Sequence, residues 1–376
     1  MKRREFVSTA ATGALGLGLF ASGGLPPSTG LRLARRSADF GGWLWIGRRP
    51  EKSAAEWGEL FVRLAGAGFQ GVLVGRAFDP VMADAAHSAG LEYHQWTWIL
   101  NRAGDTWARE NHPEWFTVSR NGDSTLDMPP YVDYYRWVCP SRAPVREYLA
   151  DLIDGAAAEP GLDGIHLDYI RYCDVILPRG LWAKYDLVQD LELPEYDFCY
   201  CEVCRGQFED RTGRDPFELD DPSADPEWAR FRWDSVTRVV TELSQVTRAR
   251  GKSVSAAVFA TPALARKLVR QAWDEWPVDR LFPMLYHPAY DEDIPWIGRS
   301  VEEGVRALES SRAELNAGLY LPALAPGDLA EAIRLTWEAG AAGFSLFDLN
   351  PLTDQHLAAV ETTMRGLRSV LLQPAG

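Results

Sequence analysis

The chain has 376 residues, 46% of them hydrophobic, so it can bury a large core as one big domain or as two ordinary ones. Its formal net charge is −14 and it has no basic clusters, which argues against nucleic acid as a partner because an acidic surface repels a phosphate backbone. Five cysteines in a chain of this length do not form a disulfide scaffold.

The first 30 residues differ in character from the rest. KRREF is followed by VSTAATGALGLGLFASGG, an uncharged and weakly apolar run that is too short and too rich in Gly and Ala for a good membrane span. Arg3, Arg4 and Phe6 resemble a twin-arginine signal, which implies export to the periplasm or the cell exterior. An ordinary secretory signal is the alternative. Because no clean A-x-A cleavage site follows, retention as a membrane anchor also stays open. We expect no other membrane span.

After residue 38, short β-type runs alternate with helical patterns. Eight strands are predicted, at 40–47, 71–76, 91–100, 164–172, 252–260, 280–287, 314–322 and 342–350. Helices are predicted between them, among others at 53–68, 142–158, 262–276 and 326–340. Eight strand–helix units predict an α/β fold, a (β/α)8 TIM barrel forming one domain over residues 38–370. A doubly wound open sheet is the competitor, but no Gly-rich phosphate loop follows an early strand.

Two long segments interrupt this alternation. Residues 101–140 follow the third strand, and residues 173–225, rich in Pro, Asp and Tyr, follow the fourth. Insertions of this length in a compact domain are usually functional. Both leave from the carboxyl ends of strands, where barrel enzymes place their active sites.

The fourth predicted strand, GIHLDYIRY, carries polar residues in its middle. Alternate side chains of a strand face opposite sides, so Ile165, Leu167 and Tyr169 share one face and His166 and Asp168 the other. In a barrel the second face lines the interior, and Asp168 comes near the open end beside both insertions.

Several of these stretches together resemble a known family. LDGIHLDYIRY, preceded by RAPVREYLADLIDGAA and followed by PMLYHPAY and GFSLFDLN, resembles the bacterial family-10-like glycoside hydrolases. The stretch NHPEWFTVSRNGDSTLDM (111–128) resembles that family's insertion after the third strand, and the resemblance extends over residues 38–365. It implies a (β/α)8 barrel that hydrolyses O-glycosidic bonds of a poly- or oligosaccharide.

In such an enzyme Asp168 is the expected catalytic carboxylate, acting as nucleophile or general base. The alternative is a structural aspartate paired with Arg171 or His166. His166 either tunes Asp168 through a hydrogen bond or fills a polar layer of the barrel. Arg171 orients a carboxylate, holds an anionic sugar or forms a surface salt bridge.

The second carboxylate that glycosidases use is harder to find. Strands five and seven end in AAVFA and GLYLP, without an acid. Asp348 at the end of strand eight is the first choice, although it could instead cap the turn that follows. Glu292 after strand six, and Asp174 and Glu195 in the second insertion, also qualify. Chitinase-type strands end in a catalytic glutamate where this chain has Ile170, so substrate-assisted chemistry is not expected.

Aromatic residues near predicted strand ends suit sugar rings, because their flat apolar faces stack on them. The predicted substrate-binding residues are Trp45, Trp96, Trp98, Asn101, Tyr286, His287 and Glu292. Two of the four aromatics are expected to be ordinary barrel packing. Metal-dependent barrel hydrolases carry His-x-His on the first strand, which FGGWLWIG lacks, so we expect no cofactor for catalysis.

The stretch FCYCEVCRGQF (198–208) forms a second cluster of reactive residues. Cys199, Cys201 and Cys204, with Cys173, are candidate ligands of a tetrahedral structural zinc ion. One disulfide with spare thiols, or free thiols alone, are the alternatives. With either a zinc ion or a disulfide bond, the cluster would hold the long segment 173–225 over the active site.

A non-enzymatic interpretation also stays open. Because Asp168 has no obvious partner acid, the chain could be a carbohydrate-binding barrel that no longer cleaves its ligand. Turnover of a glycan would separate the two.

Overall fold

The computed structural model describes residues 39–47, 51–75 and 77–371, so the predicted signal at residues 1–30 lies outside the described residues. Eight parallel strands pair in chain order, and β8 closes onto β1 to complete a barrel. The strands are β1 Gly41–Ile46, β2 Phe69–Gly75, β3 Glu92–Trp98, β4 Gly164–Asp168, β5 Ser253–Phe259, β6 Arg280–Met284, β7 Glu314–Tyr320 and β8 Gly343–Phe347. The predicted (β/α)8 fold is confirmed.

Helices pack around the barrel and form short elements in its insertions. The α-helices are Ala54–Ala67, Pro80–Ser88, Thr106–Asn111, Ala143–Ala157, Trp182–Tyr185, Glu202–Thr212, Pro226–Ala249, Pro262–Val269, Ile294–Ala307, Pro326–Glu338 and Asp354–Leu371. Short 3-10 helices lie at Pro113–Trp115, Arg179–Leu181, Pro216–Glu218, Trp273–Glu275, His287–Tyr290 and Leu321–Ala323. The helix Ala54–Ala67 shows how local sequence sets its bounds: Ser53 and Glu56 form a capping box, and Gly68 ends it at φ 97°. Among the residues described here, no helix is long and apolar enough to cross a membrane.

One helix is shorter than its sequence pattern predicts. The pattern indicates a helix over 262–276, but the helix Pro262–Val269 ends at Arg270, whose φ of 61° is left-handed. The Arg270 guanidinium is buried and bonds to Glu192 of the second insertion. This contact turns the chain away from the helix axis, and tertiary structure therefore overrides the helical pattern.

The lower part of the barrel is filled by side chains. Trp43 packs edge-on against His94 and Phe282, with ring centroids 4.9 and 5.7 Å apart. Gly71 makes room for Trp43, since a Cβ there would lie 2.4 Å from the indole ring. Side chains therefore fill the barrel interior at this layer.

The two insertions contact each other over the carboxyl ends of the strands. Ser119 of the first insertion and Phe198 of the second form an antiparallel bridge, and the Tyr200 N–H donates to the Val118 carbonyl at 2.8 Å. The Arg120 N–H donates to the carbonyls of Pro194 and Asp197. The insertions thus form one wall around the barrel mouth.

Candidate active site

Asp168 is the last residue of β4, at the open end of the barrel, and it is 7% exposed. Its Oδ2 accepts a hydrogen bond from Trp96 Nε1 at 2.8 Å, and its Oδ1 accepts one from the Tyr169 N–H at 2.6 Å. Burial raises the pKa of Asp168 to about 6, although these two hydrogen bonds and the nearby Arg171 charge act to lower it. A carboxyl group with this pKa is present in both protonation states near neutral pH.

Tyr169 departs from the predicted alternation. The sequence places it on the outer face with Ile165 and Leu167, but the strand ends at Asp168 and Tyr169 has a φ of 48°. The left-handed conformation, uncommon for a tyrosine, turns the side chain into the barrel mouth, where it lines a cavity.

This cavity, which we call the aromatic cavity, has a volume of about 270 Å³ and contains Asp168 in its wall. Aromatic rings from the barrel and both insertions make up most of its lining. They are Trp45, Trp96, Trp98, Tyr131, Tyr135, Tyr169, Tyr185, Phe259, Tyr286, Tyr290 and Phe347. The remaining lining residues are Arg171, Asp174, Leu177, Pro178, Leu181, Met284 and Ala289. Asp168 and Asp174 are thus its only carboxylates among the residues that the structure describes.

Arg171 and Asp174 form a buried ion pair in the wall of the aromatic cavity. Arg171 Nη1 donates to Asp174 Oδ2 at 2.8 Å, and the side chains are 8% and 3% exposed. The guanidinium lies against the rings of Trp137, Tyr169 and Phe259. The charge of Arg171 is therefore matched within the protein, in place of the surface salt bridge considered from the sequence.

A second cavity of about 620 Å³ adjoins the first. The two cavities share Trp96 and Trp98, and the second is also lined by Asn101, Arg102 and Asp105. Gly47 and Gly75 form part of its wall, and a Cβ on either would crowd the Trp96 ring, at 3.0 and 3.2 Å. Trp96 and Trp98 thus lie between the small aromatic cavity and this larger one.

No protein-family model matches the chain, and no curated protein sequence matches it. The catalytic domain of β-amylase from Paenibacillus polymyxa superimposes with a TM-score of 0.61 at 11% identity, covering 87% of this chain and 98% of that one. The PgaB (BpsB) glycoside hydrolase domain from Bordetella bronchiseptica superimposes with a TM-score of 0.57 at 13% identity, covering 89% and 99%. At these identities the likeness establishes the fold. The fold shared with these two domains is the (β/α)8 barrel.

Asp348, the predicted partner acid, lies at the end of β8 and is half-buried. A Cβ on Gly47 would lie 3.6 Å from Asp348 Oδ2 and 3.0 Å from the Trp96 ring, so Asp348 is close to the wall between the cavities. The Asn350 N–H and Nδ2 each donate to this carboxylate at 3.1 Å. The turn-capping interaction foreseen from the sequence is therefore present, and Asp348 does not line the aromatic cavity.

His166 lies one layer below Asp168 and is fully buried. Its Nδ1 pairs with Ser255 Oγ at 2.8 Å, and its ring packs edge-on against Trp45 and Phe282. Burial, with a smaller effect from His94, lowers the pKa of His166 well below its ordinary value. Asp168 receives its hydrogen bonds from Trp96 and Tyr169 instead, so the geometry favours His166 as part of a polar barrel layer.

The predicted substrate-binding residues divide into three groups. Trp96, Trp98 and Tyr286 line the aromatic cavity, and Asn101 lines the larger one. Trp45 forms the floor, 2% exposed, with its Nε1 donating to Ser345 Oγ at 3.1 Å. His287 and Glu292 line neither cavity; His287 is buried at the start of a 3-10 helix, and Glu292 is exposed beside Arg299.

Sequence reasoning missed the aromatic residues that the insertions contribute. Tyr131 and Tyr135 come from the first insertion, and Tyr185 comes from the second. Tyr131 OH donates to the Asp174 carbonyl at 2.9 Å, and its ring stacks on Tyr196 with centroids 4.4 Å apart. The available signal was the tyrosine-rich stretch YVDYY at 131–135, inside a segment already predicted to be functional.

The cysteine cluster differs from the predicted one by a single member. Cys199, Cys201 and Cys204 lie together as expected, but Cys139 of the first insertion joins them instead of Cys173. Cys173 lies in the segment that follows β4, next to Asp174 and near Trp137. Sequence proximity to strand four indicated the wrong cysteine because the cluster is completed across the contact between the two insertions.

Proposed function

We propose that this protein is a glycoside hydrolase in which Asp168 transfers the proton to the glycosidic oxygen. The observation that carries the proposal is the position of Asp168: a buried carboxyl group with a pKa of about 6, at the end of a barrel strand, in an aromatic cavity. The resemblance of the β4 motif to family-10-like glycoside hydrolases supports it. The fold shared with a β-amylase domain and a glycoside hydrolase domain gives further support.

The proposed reaction needs two groups on either side of the scissile bond. Asp168 donates its proton to the leaving oxygen as the bond from the anomeric carbon to that oxygen breaks. A water oxygen then bonds to the anomeric carbon, and its proton passes to a second carboxylate. We propose Asp348 for this second role, because it lies by the Trp96 ring whose Nε1 bonds to Asp168, and because the Asp174 charge is matched by Arg171.

The rings around Asp168 suit a sugar substrate. Their flat apolar faces stack on the C–H faces of a pyranose, and a volume of about 270 Å³ fits a small unit better than a chain. The larger cavity beyond Trp96 and Trp98 provides space and polar groups for the rest of an oligosaccharide.

The test is Asp168→Asn, which keeps the shape of the side chain and removes its titrating proton. Activity on a glycan panel, measured as released reducing ends, should fall by about three orders of magnitude or more, while retention of the cleaved glycan on an affinity column persists. Asp151→Asn is the matched control, because Asp151 is exposed on the helix Ala143–Ala157, and it should keep full activity. Normal turnover by Asp168→Asn would end the proposal.

A carbohydrate-binding barrel without turnover is the second candidate. It is favoured by one observation: of the two carboxylates lining the aromatic cavity in the described part of the chain, Asp174 is committed to Arg171. In that case the wild-type protein binds a glycan and releases no reducing ends from it.

We also propose export by the twin-arginine pathway, on the sequence of Arg3, Arg4 and Phe6. A reporter fused to residues 1–40 should leave the cytosol only when that pathway is intact. Replacement of both arginines by lysine should block its export, and undiminished export of that variant would contradict the proposal.

A further inference from the structure

Four buried cysteines converge where the two insertions meet. The Sγ atoms of Cys139, Cys199, Cys201 and Cys204 all lie within 4.8 Å of one another. Cys139 Sγ is 3.4 Å from Cys204 Sγ and 3.8 Å from Cys201 Sγ. Cys139 comes from the end of the first insertion, while the other three come from the second insertion, where Cys204 lies on the helix Glu202–Thr212.

These separations match those of a tetrahedral metal site. A zinc ion bound at about 2.3 Å from each of four sulfur atoms places those atoms roughly 3.8 Å apart. A disulfide bond joins only two sulfur atoms, at about 2.05 Å, and leaves no reason for four to converge. We propose that Cys139, Cys199, Cys201 and Cys204 bind one Zn²⁺ ion as four thiolates.

The surroundings suit the net negative charge of such a centre. The Val118 N–H donates to Cys199 Sγ at 3.4 Å, and the Cys204 N–H donates to Cys201. Cys201 is also the N-cap of the helix Glu202–Thr212, whose positive end faces it. The Arg142 guanidinium lies within electrostatic reach of Cys139, Cys199 and Cys201. N–H donors and a cation around thiolate ligands stabilise the ligated state.

The site is structural because all four ligands are protein sulfurs and no coordination position is left for substrate. It joins the first insertion, which supplies Tyr131 and Tyr135 to the aromatic cavity, to the second, which supplies Tyr185. The ion therefore fastens both parts of the cavity wall to each other. This assignment does not depend on the proposed glycosidase activity.

The experiment is elemental analysis of the full-length protein, purified from a reducing lysate without chelator. About one zinc per chain is expected. Cys139→Ser should lose most of this zinc, and Cys173→Ser, in which a buried cysteine outside the cluster is changed, should keep all of it. Zinc retained by Cys139→Ser but lost from Cys173→Ser would overturn the assignment, as would iron in place of zinc.

A second measurement on the wild-type protein covers the case in which Cys139→Ser does not fold. Blocking thiols with a mercurial reagent should release the zinc in step with modification, and cobalt(II) added afterwards to thiol-restored protein should give the intense absorption of tetrahedral sulfur coordination. Metal-free protein whose denatured mass shows disulfide bonds, or four free thiols that bind no cobalt, would refute the site.

Discussion

At the scale of single residues, the environment of Asp168 is set by opposing effects. Burial favours the neutral acid, while the Trp96 and Tyr169 donors favour the carboxylate, and burial has the larger effect. The two-residue period of a strand predicted that Asp168 faces the barrel interior. It could not predict that Tyr169 joins it, because that depends on a left-handed backbone at the strand end.

Trp96 is a positioning residue whose effect can be measured through Asp168. Trp96→Phe keeps a ring in the cavity wall but removes the Nε1–H donor to Asp168 Oδ2, which stabilises the ionised form. The pKa of Asp168 should rise further, so the alkaline limb of the kcat/KM profile, expected near pH 6, should move to higher pH.

Trp98→Phe is the control for this change, because Trp98 lines the same cavity and the Asp168 side chain takes its indole hydrogen bond from Trp96. The alkaline limb of the kcat/KM profile of Trp98→Phe should stay at the wild-type pH even if KM rises. Equal shifts in both variants would show that the indole hydrogen bond does not set the acidity of Asp168.

The same carboxyl group should make stability depend on pH. Its folded-state pKa of about 6 lies above an unfolded value of about 3.9, so between these values the folded protein binds more protons. The contribution of this group to the free energy of unfolding is fully present below pH 4. As pH rises through 6 this contribution is lost, which lowers the free energy of unfolding by about 3 kcal/mol. The free energy of unfolding in urea should therefore fall for the wild-type protein, relative to Asp168→Asn, as pH rises over this range. A constant difference between pH 4 and 7 would contradict the raised pKa.

At the scale of elements, the insertions were predictable as functional but not as a unit. Their length and their position after the third and fourth strands indicated the active-site side. Their mutual contacts join residues far apart in the chain, such as Ser119 with Phe198 and Cys139 with Cys204, and no local pattern encodes them. The early end of the helix Pro262–Val269 has the same origin, since Arg270 turns toward the second insertion.

Asp197 anchors the second insertion to the barrel and can be tested for that role. Its fully buried carboxylate accepts from Arg232 Nη1 and from Tyr200 OH, with Arg270 close by. Burial would raise the pKa of Asp197, but the charges of Arg232 and Arg270 lower it below its ordinary value. Asp197→Asn removes the carboxylate that is paired with the buried Arg232 and should cost about 3–5 kcal/mol in urea unfolding at neutral pH.

Asp154→Asn provides the comparison, because Asp154 forms an exposed ion pair with Arg250 and should change stability little. The loss caused by Asp197→Asn should also shrink in acid, since a carboxylate with a lowered pKa contributes above its unfolded pKa and stops contributing as pH falls through the folded one. Equal effects of the two substitutions at neutral pH would show that the buried pair is not an anchor.

At the scale of the whole molecule, eight repeats of strand and helix were enough to predict the closed barrel. The cavities were not predictable, because their shape depends on how large side chains fill the interior. Trp43, Trp45 and Phe282 close the lower barrel, and Trp96 with Trp98 divides the remaining space. A sequence pattern places residues on a face, but it does not give the volumes that those residues leave open.

The charge of the molecule and of its site together predict which glycans it accepts. The chain has a net charge of −14, and the one cation lining the aromatic cavity in the described residues, Arg171, is already paired with Asp174. A carboxylated sugar entering this cavity would be repelled by the protein at long range and would lack a free cation inside it. Reducing-end release from a neutral polysaccharide should therefore exceed that from its uronic-acid counterpart of equal length by at least tenfold. Added salt screens charges, so reducing-end release from the neutral polymer should hardly change. Release from the acidic polymer should rise, because its electrostatic repulsion by the protein weakens. Preferred cleavage of the polyuronate, declining with salt, would instead mean that Arg171 leaves Asp174 to bind the substrate.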